Sequence, residues 1–126
     1  MPIQVELIKE NRVVLQTYTD PLDGTDLIAL RQKMDNDIFP NTVSKLHIIA
    51  DFGGVKNLPS TLLSTGSAML RMAHSNTGHI ICVTQSAFVA TFANVFAKLS
   101  PKYPIKVVES LEEAYREVDI LLAKTS

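Results

Sequence analysis

The chain has 126 residues, 46% of them hydrophobic, and a net charge of -1. That length suits one domain, 1–126, with a single core. The near-neutral balance has no block of Lys and Arg and so excludes a nucleic-acid partner, which needs clustered cations. No run is apolar enough over the ~20 residues that a bilayer requires, so no membrane span is expected and a cytoplasmic location follows.

Ile3, Val5 and Leu7 alternate with Gln4 and Glu6, the pattern of a half-buried strand. Lys9-Glu10-Asn11 is read as a turn, and Val13 to Thr19 as the second strand of a hairpin. Asp20 is expected to cap a helix, with Pro21 in its first turn. Leu27, Leu30, Met34 and Ile38 recur at helical spacing within Leu22 to Asp37, and Asp26, Arg31, Lys33 and Asp35 make the opposite face charged. Phe39-Pro40-Asn41 reads as a loop.

Leu46 to Ala50 is a continuous apolar run, which suits a central parallel strand. Asp51, Gly53, Gly54 and Asn57 then form a loop. A helix is expected from about Ser60 to His74, burying Leu62, Gly66, Met69, Leu70 and Ala73. Asn76-Thr77-Gly78 turns the chain into a buried strand, His79 to Thr84. Cys82 is the only cysteine and reads as a small buried hydrophobe. From Ser86 to Leu99 a helix is expected to bury Phe88, Phe92, Val95, Phe96 and Leu99, with Ala87, Ala90, Thr91, Asn94 and Ala97 facing outward. Ile105 to Val108 is a short edge strand. Ser110-Leu111-Glu112-Glu113 is a capping box, opening a last helix that buries Leu111, Ala114, Tyr115, Val118, Leu121 and Leu122. The order β-β-α-β-α-β-α-β-α predicts an α/β fold with a mostly parallel sheet and helices on both faces.

Charge is unevenly distributed. Between Lys56 and Lys98 the only Asp, Glu, Lys or Arg is Arg71. Small, uncharged helix faces fit a homo-oligomer contact, the wall of an apolar ligand pocket, or merely an exposed surface. Ser60 and Thr61 at a helix N-terminus are a candidate anion or phosphorylation site, while Ser60 or Asn57 as an ordinary helix cap is the preferred reading. Asp51 ends a buried strand, as the phospho-accepting aspartate of receiver domains does. Receivers also need an acidic pair after the first strand and a lysine after the last, and both are missing here. Asp51 is instead expected to accept amide hydrogen bonds from its own loop. His47, His74 and His79 lack metal-ligand spacing. No nucleophile elbow, P-loop or dinucleotide fingerprint occurs, so no catalytic residue, metal or cofactor is assigned and no enzymatic activity is expected.

Ile49-Ala50-Asp51-Phe52-Gly53-Gly54-Val55 resembles the corresponding stretch of the STAS-like (SpoIIAA-like) superfamily. The order of elements agrees over nearly the whole chain, and Val107 to Ala114 resembles the family's last strand and helix. In the anti-sigma-factor antagonists of that family the following helix opens with Asp-Ser-Ser or Asp-Ser-Thr and a Gly, and the first serine is phosphorylated. Here the serine falls on Ser60 and the next hydroxyl on Thr61, but the acid falls on Pro59 and the glycine on Leu62. The resemblance extends to STAS-like relatives of lipid-binding Sec14-type domains, which hold apolar ligands or oligomerise. It implies a non-enzymatic protein-interaction and regulatory module, homodimeric or bound to another protein. The alternative is a binder of a small apolar or amphipathic, lipid-like molecule. Leu58, Leu62, Met69, Met72, Phe88, Ala90 and Phe92 would line the contact or pocket, with Ser60 or Arg71 meeting a polar group.

Overall fold

The computed structural model describes residues 3–42, 45–56, 75–99 and 103–125. The helix expected at 60–74 lies outside the described residues. The remaining elements are β1 (Ile3–Ile8), β2 (Val13–Thr19), α1 (Gly24–Lys33), β3 (Leu46–Gly54), β4 (Thr77–Val83), α2 (Ala87–Leu99), β5 (Ile105–Val108) and α3 (Leu111–Thr125). The five strands form one sheet in the order β1-β2-β3-β4-β5. β1 pairs with β2 antiparallel, and the other three pairs are parallel. This is a mostly parallel α/β sheet, the fold class expected from the order of elements.

The alternation of side chains along each strand divides the core in two. On one face Val14, Tyr18, Leu46 and Ala50 pack with Leu30 of α1 and with Met34 and Ile38 beyond it. Cys82, which pairs with Ala50, continues that face and meets Val89 and Ala93 of α2. On the other face Val13, Ile49, Ile81, Val83 and Val108 pack against Ala114 and Val118 of α3. Helices thus cover both faces. Leu46 and Ile49 on the central strand are fully buried, as a strand flanked on both edges and both faces must be.

Several boundaries differ from the sequence expectation. α1 is capped by Asp23, not Asp20. Asp23 Oδ1 accepts the Asp26 amide at 3.1 Å, and Asp26 Oδ2 accepts the Asp23 amide at 2.9 Å. Leu22 is buried, so the chain turns inward to seat it before the helix starts, and Pro21 stands outside the first turn. Past Lys33 the helix widens into a π turn over Met34–Ile38 and tightens into a 3-10 turn at Phe39–Asn41, where a loop was expected. This keeps Met34, Ile38 and Phe39 all in the core.

β3 runs to Gly54, so Asp51, Gly53 and Gly54 belong to the strand, not to a loop. β4 begins at Thr77, within the stretch expected to turn.

The largest correction concerns α2. Among its described side chains Val89 and Ala93 are the buried ones, whereas Phe88 is 58% exposed and Val95 39% exposed, and the side chain of Leu99 lies outside the described residues. Ala90 is half-buried, as are Phe92 and Phe96. The helix approaches the sheet over Cys82 on small side chains. Its aromatic residues lie along its flank, with Phe92 against Phe88 at 6.2 Å and edge-on to Phe96 at 5.0 Å.

Candidate functional site

The carboxyl ends of parallel strands are where α/β folds gather binding groups. Here the C-terminal ends of β3, β4 and β5 meet the start of α1, α2 and α3. At β3, Asp51 pairs with Thr17 and Val83, and Gly54 pairs with Thr19 after a shift in register. Two residues on β3, Phe52 and Gly53, therefore oppose one on β2, Tyr18, which is a bulge. The ring of Phe52 stacks on Tyr18 with centroids 4.2 Å apart and planes within 13°.

Asp51 Oδ1 accepts the Gly53 amide at 2.9 Å, the bond to its own segment expected from sequence. A Cβ at Gly53 would lie 3.0 Å from that oxygen, so glycine lets the carboxylate close over the backbone. At Gly54 a Cβ would meet the Tyr18 carbonyl oxygen at 3.4 Å. The strand exit is then tied down. Val55 is buried and donates its amide to the Phe52 carbonyl at 2.9 Å, and the Lys56 amide donates to Asp20 Oδ2 at 2.8 Å. Asp20 is thus a tether between the ends of β2 and β3.

The other strand ends are built alike. Buried Thr84 donates its amide to the Val108 carbonyl at 3.0 Å and accepts the Ser86 amide on Oγ1 at 3.0 Å. Ser86 Oγ accepts the Val89 amide at 3.3 Å and so caps α2. Ser110 Oγ accepts the Glu113 amide at 3.2 Å and caps α3. These hydroxyls are committed to backbone groups.

Two buried groups under this edge, Cys82 and Tyr18, are held neutral. Burial, and then the charge of Asp51, push the Cys82 thiol up to about 12. A thiol held there is not a nucleophile near neutral pH, and Cys82 behaves as the buried hydrophobe expected. Burial also drives the Tyr18 phenol well above its usual range. Its hydroxyl donates to Gln16 Oε1 at 2.7 Å, and Gln16 Nε2 reaches Met34 Sδ at 3.6 Å. Gln16 and Tyr18 are therefore satisfied structural polar groups.

Of the candidate residues, the structure places Asp51, Gly53 and Gly54 at the end of β3, and Phe88, Ala90 and Phe92 on α2. Phe52 and Phe92 pack against the same core cluster, which links the bulge to the flank of α2. Asn57, Leu58, Ser60, Thr61, Leu62, Met69, Arg71 and Met72 lie outside the described residues. The sequence reading missed two participants. Asp20 as a tether has no local signal, because its partner is Lys56, and Val95 as a surface residue was hidden by its fit to the aromatic period. Among the described residues no three His, Cys, Asp or Glu side chains are grouped to hold a metal ion, and no helix is long and apolar enough to cross a membrane.

No family model and no curated protein sequence matches the chain. The fold is a known α/β class. The protein TM1081, solved by NMR, superposes with a TM-score of 0.65 over 94% of this chain and 87% of its own, at 16% sequence identity. At that identity the likeness is one of fold.

Proposed function

We propose that the chain is a cytoplasmic, non-enzymatic STAS-like regulatory module that acts by binding protein, its first partner being a second copy of itself. The observation that carries this reading is the outer face of α2. Phe88 and Val95 stand exposed one above the other, with exposed Thr91 and Asn94 beside them. The first turn has no acid, and the helix carries its charge, Lys98, in its last turn. Depletion of charge with exposed aromatic and aliphatic side chains is the composition of an interface core. Phe52 of the Asp51–Gly54 bulge and Phe92 of α2 pack against the same core cluster, and Ser60 and Thr61 are the residues at which a phosphate would switch binding. The resemblance of the Ile49–Val55 stretch supports the STAS-like part of this reading.

Native mass spectrometry of the purified protein tests the proposal. A dimer is expected, and Val95→Glu should dissociate it while leaving the circular dichroism spectrum unchanged. A monomeric wild-type protein overturns self-association. A monomer carrying mass that leaves on denaturation would transfer the reading to a bound apolar or amphipathic molecule.

A further inference from the structure

At the opposite edge of the sheet, where β3 and β4 begin, two histidines from strands far apart in sequence meet. His47 is buried, 6% exposed, and its Nδ1 accepts the backbone amide of His79 at 3.0 Å. Acceptance at Nδ1 places the proton of the neutral ring on Nε2. The ring lies directly over Gly78, where an added Cβ would stand 2.6 Å from Nδ1 and 2.9 Å from Cε1. The two imidazoles are 5.5 Å apart, tilted by 58°.

The surroundings are basic. The β1–β2 turn contributes Arg12, whose carbonyl accepts the His47 amide at 3.1 Å and whose guanidinium donates to the Leu122 carbonyl of α3 at 3.5 Å. Lys45 precedes β3 and donates to the Ser75 carbonyl. On α3, Asp119 is engaged by Lys9 at 3.2 Å. β4 contributes His79 itself.

We infer that His47 and His79 form an acid-responsive clasp. The neutral His47 ring holds the start of β4 against β3 through its Nδ1, and protonation of that atom breaks the bond and releases the strand ends. A proton added at Nδ1 removes the lone pair that the His79 amide needs and sets two N–H groups face to face. It also adds a cation in a buried position beside Arg12 and His79. Burial first, then His79 and then Arg12, hold the His47 imidazole below its ordinary value of 6.5. The clasp is therefore closed at neutral pH and opens only at a pH below that ordinary value.

An NMR titration of the full chain tests this. His47 should titrate below 6.5, and the His79 amide should shift and lose hydrogen-exchange protection in step with it. His47→Asn, whose amide oxygen replaces Nδ1 as acceptor without titrating, should keep the His79 amide protected through the same range. The clasp is overturned by a His47 that titrates at or above 6.5, by a His79 amide indifferent to that titration, or by His47→Asn opening over the wild-type pH range. Where His47→Asn fails to fold, the wild-type titration decides by itself.

Discussion

Gly78 shows how one missing side chain positions another. The space a Cβ would occupy is filled by the His47 ring, and that ring is fixed in turn by the His79 amide. Gly78→Ala therefore forces the imidazole or the strand to move. Overpacking of this kind costs about 1–3 kcal/mol, and the expected loss is read from the urea midpoint at unchanged slope. Ile49 makes the opposite case. It is fully buried between the sheet and α3, so Ile49→Ala removes packing that nothing nearby replaces. Its expected cost is about 2–5 kcal/mol, measured in the same way.

At the scale of elements, α2 gives the sharpest test, because its periodicity and its packing disagree. If the aromatic stripe were the buried face, Phe88→Ser would destabilise strongly and Ala93→Leu would be harmless. The structure reverses this. Ala93 is buried against Cys82 and Phe88 is mostly exposed. Ala93→Leu should cost about 1–3 kcal/mol, while Phe88→Ser should change the stability of the dissociated protomer by no more than about 0.5 kcal/mol, both compared by urea unfolding at a dilution where the protein is monomeric. The β1–β2 turn holds a second expectation. Lys9, Glu10 and Asn11 all have positive φ, at 52°, 59° and 63°, a region that disfavours side chains with a Cβ. Glu10→Gly should relieve up to about 1 kcal/mol of that cost, seen as a raised melting temperature.

For the whole molecule, pH couples to stability through His47. Its folded value lies below the ordinary one, so the unfolded chain binds the proton more readily. Stability from this group is complete above about 6.5 and is lost as pH falls from there toward the folded value. Asp23 is also lowered, first by the Thr25 hydroxyl and then by the Asp26 amide. Its contribution is present above its ordinary value and is lost only as pH falls through the lower folded one, so it acts at more acidic pH than His47. Urea midpoints measured from pH 8 to pH 5 should decline below about 6.5, and His47→Asn should flatten that decline. The self-association proposed for α2 would act separately from this, since Phe88 and Val95 lie on α2, which follows the C-terminal end of β4.

The sequence by itself determined the elements with strong local patterns. Alternation marked the β1–β2 hairpin, the apolar run at Leu46 marked the central strand, and the period of Ala114 and Val118 marked the buried face of α3. Each of those signals is carried by neighbouring residues, and each survives in the fold because packing agrees with it. Cys82 as a hydrophobe and Asp51 as an acceptor for its own segment were legible for the same reason. The tertiary structure decided what depends on residues distant in the chain. The bulge that keeps Gly54 in β3 requires Thr19, the tether at Lys56 requires Asp20, and Gly78 requires His47. The rotation of α2 also belongs here. Periodicity shows that a helix has an apolar flank, but contact with the sheet decides which of its residues are buried, and over Cys82 these are Val89 and Ala93, with Phe88 exposed.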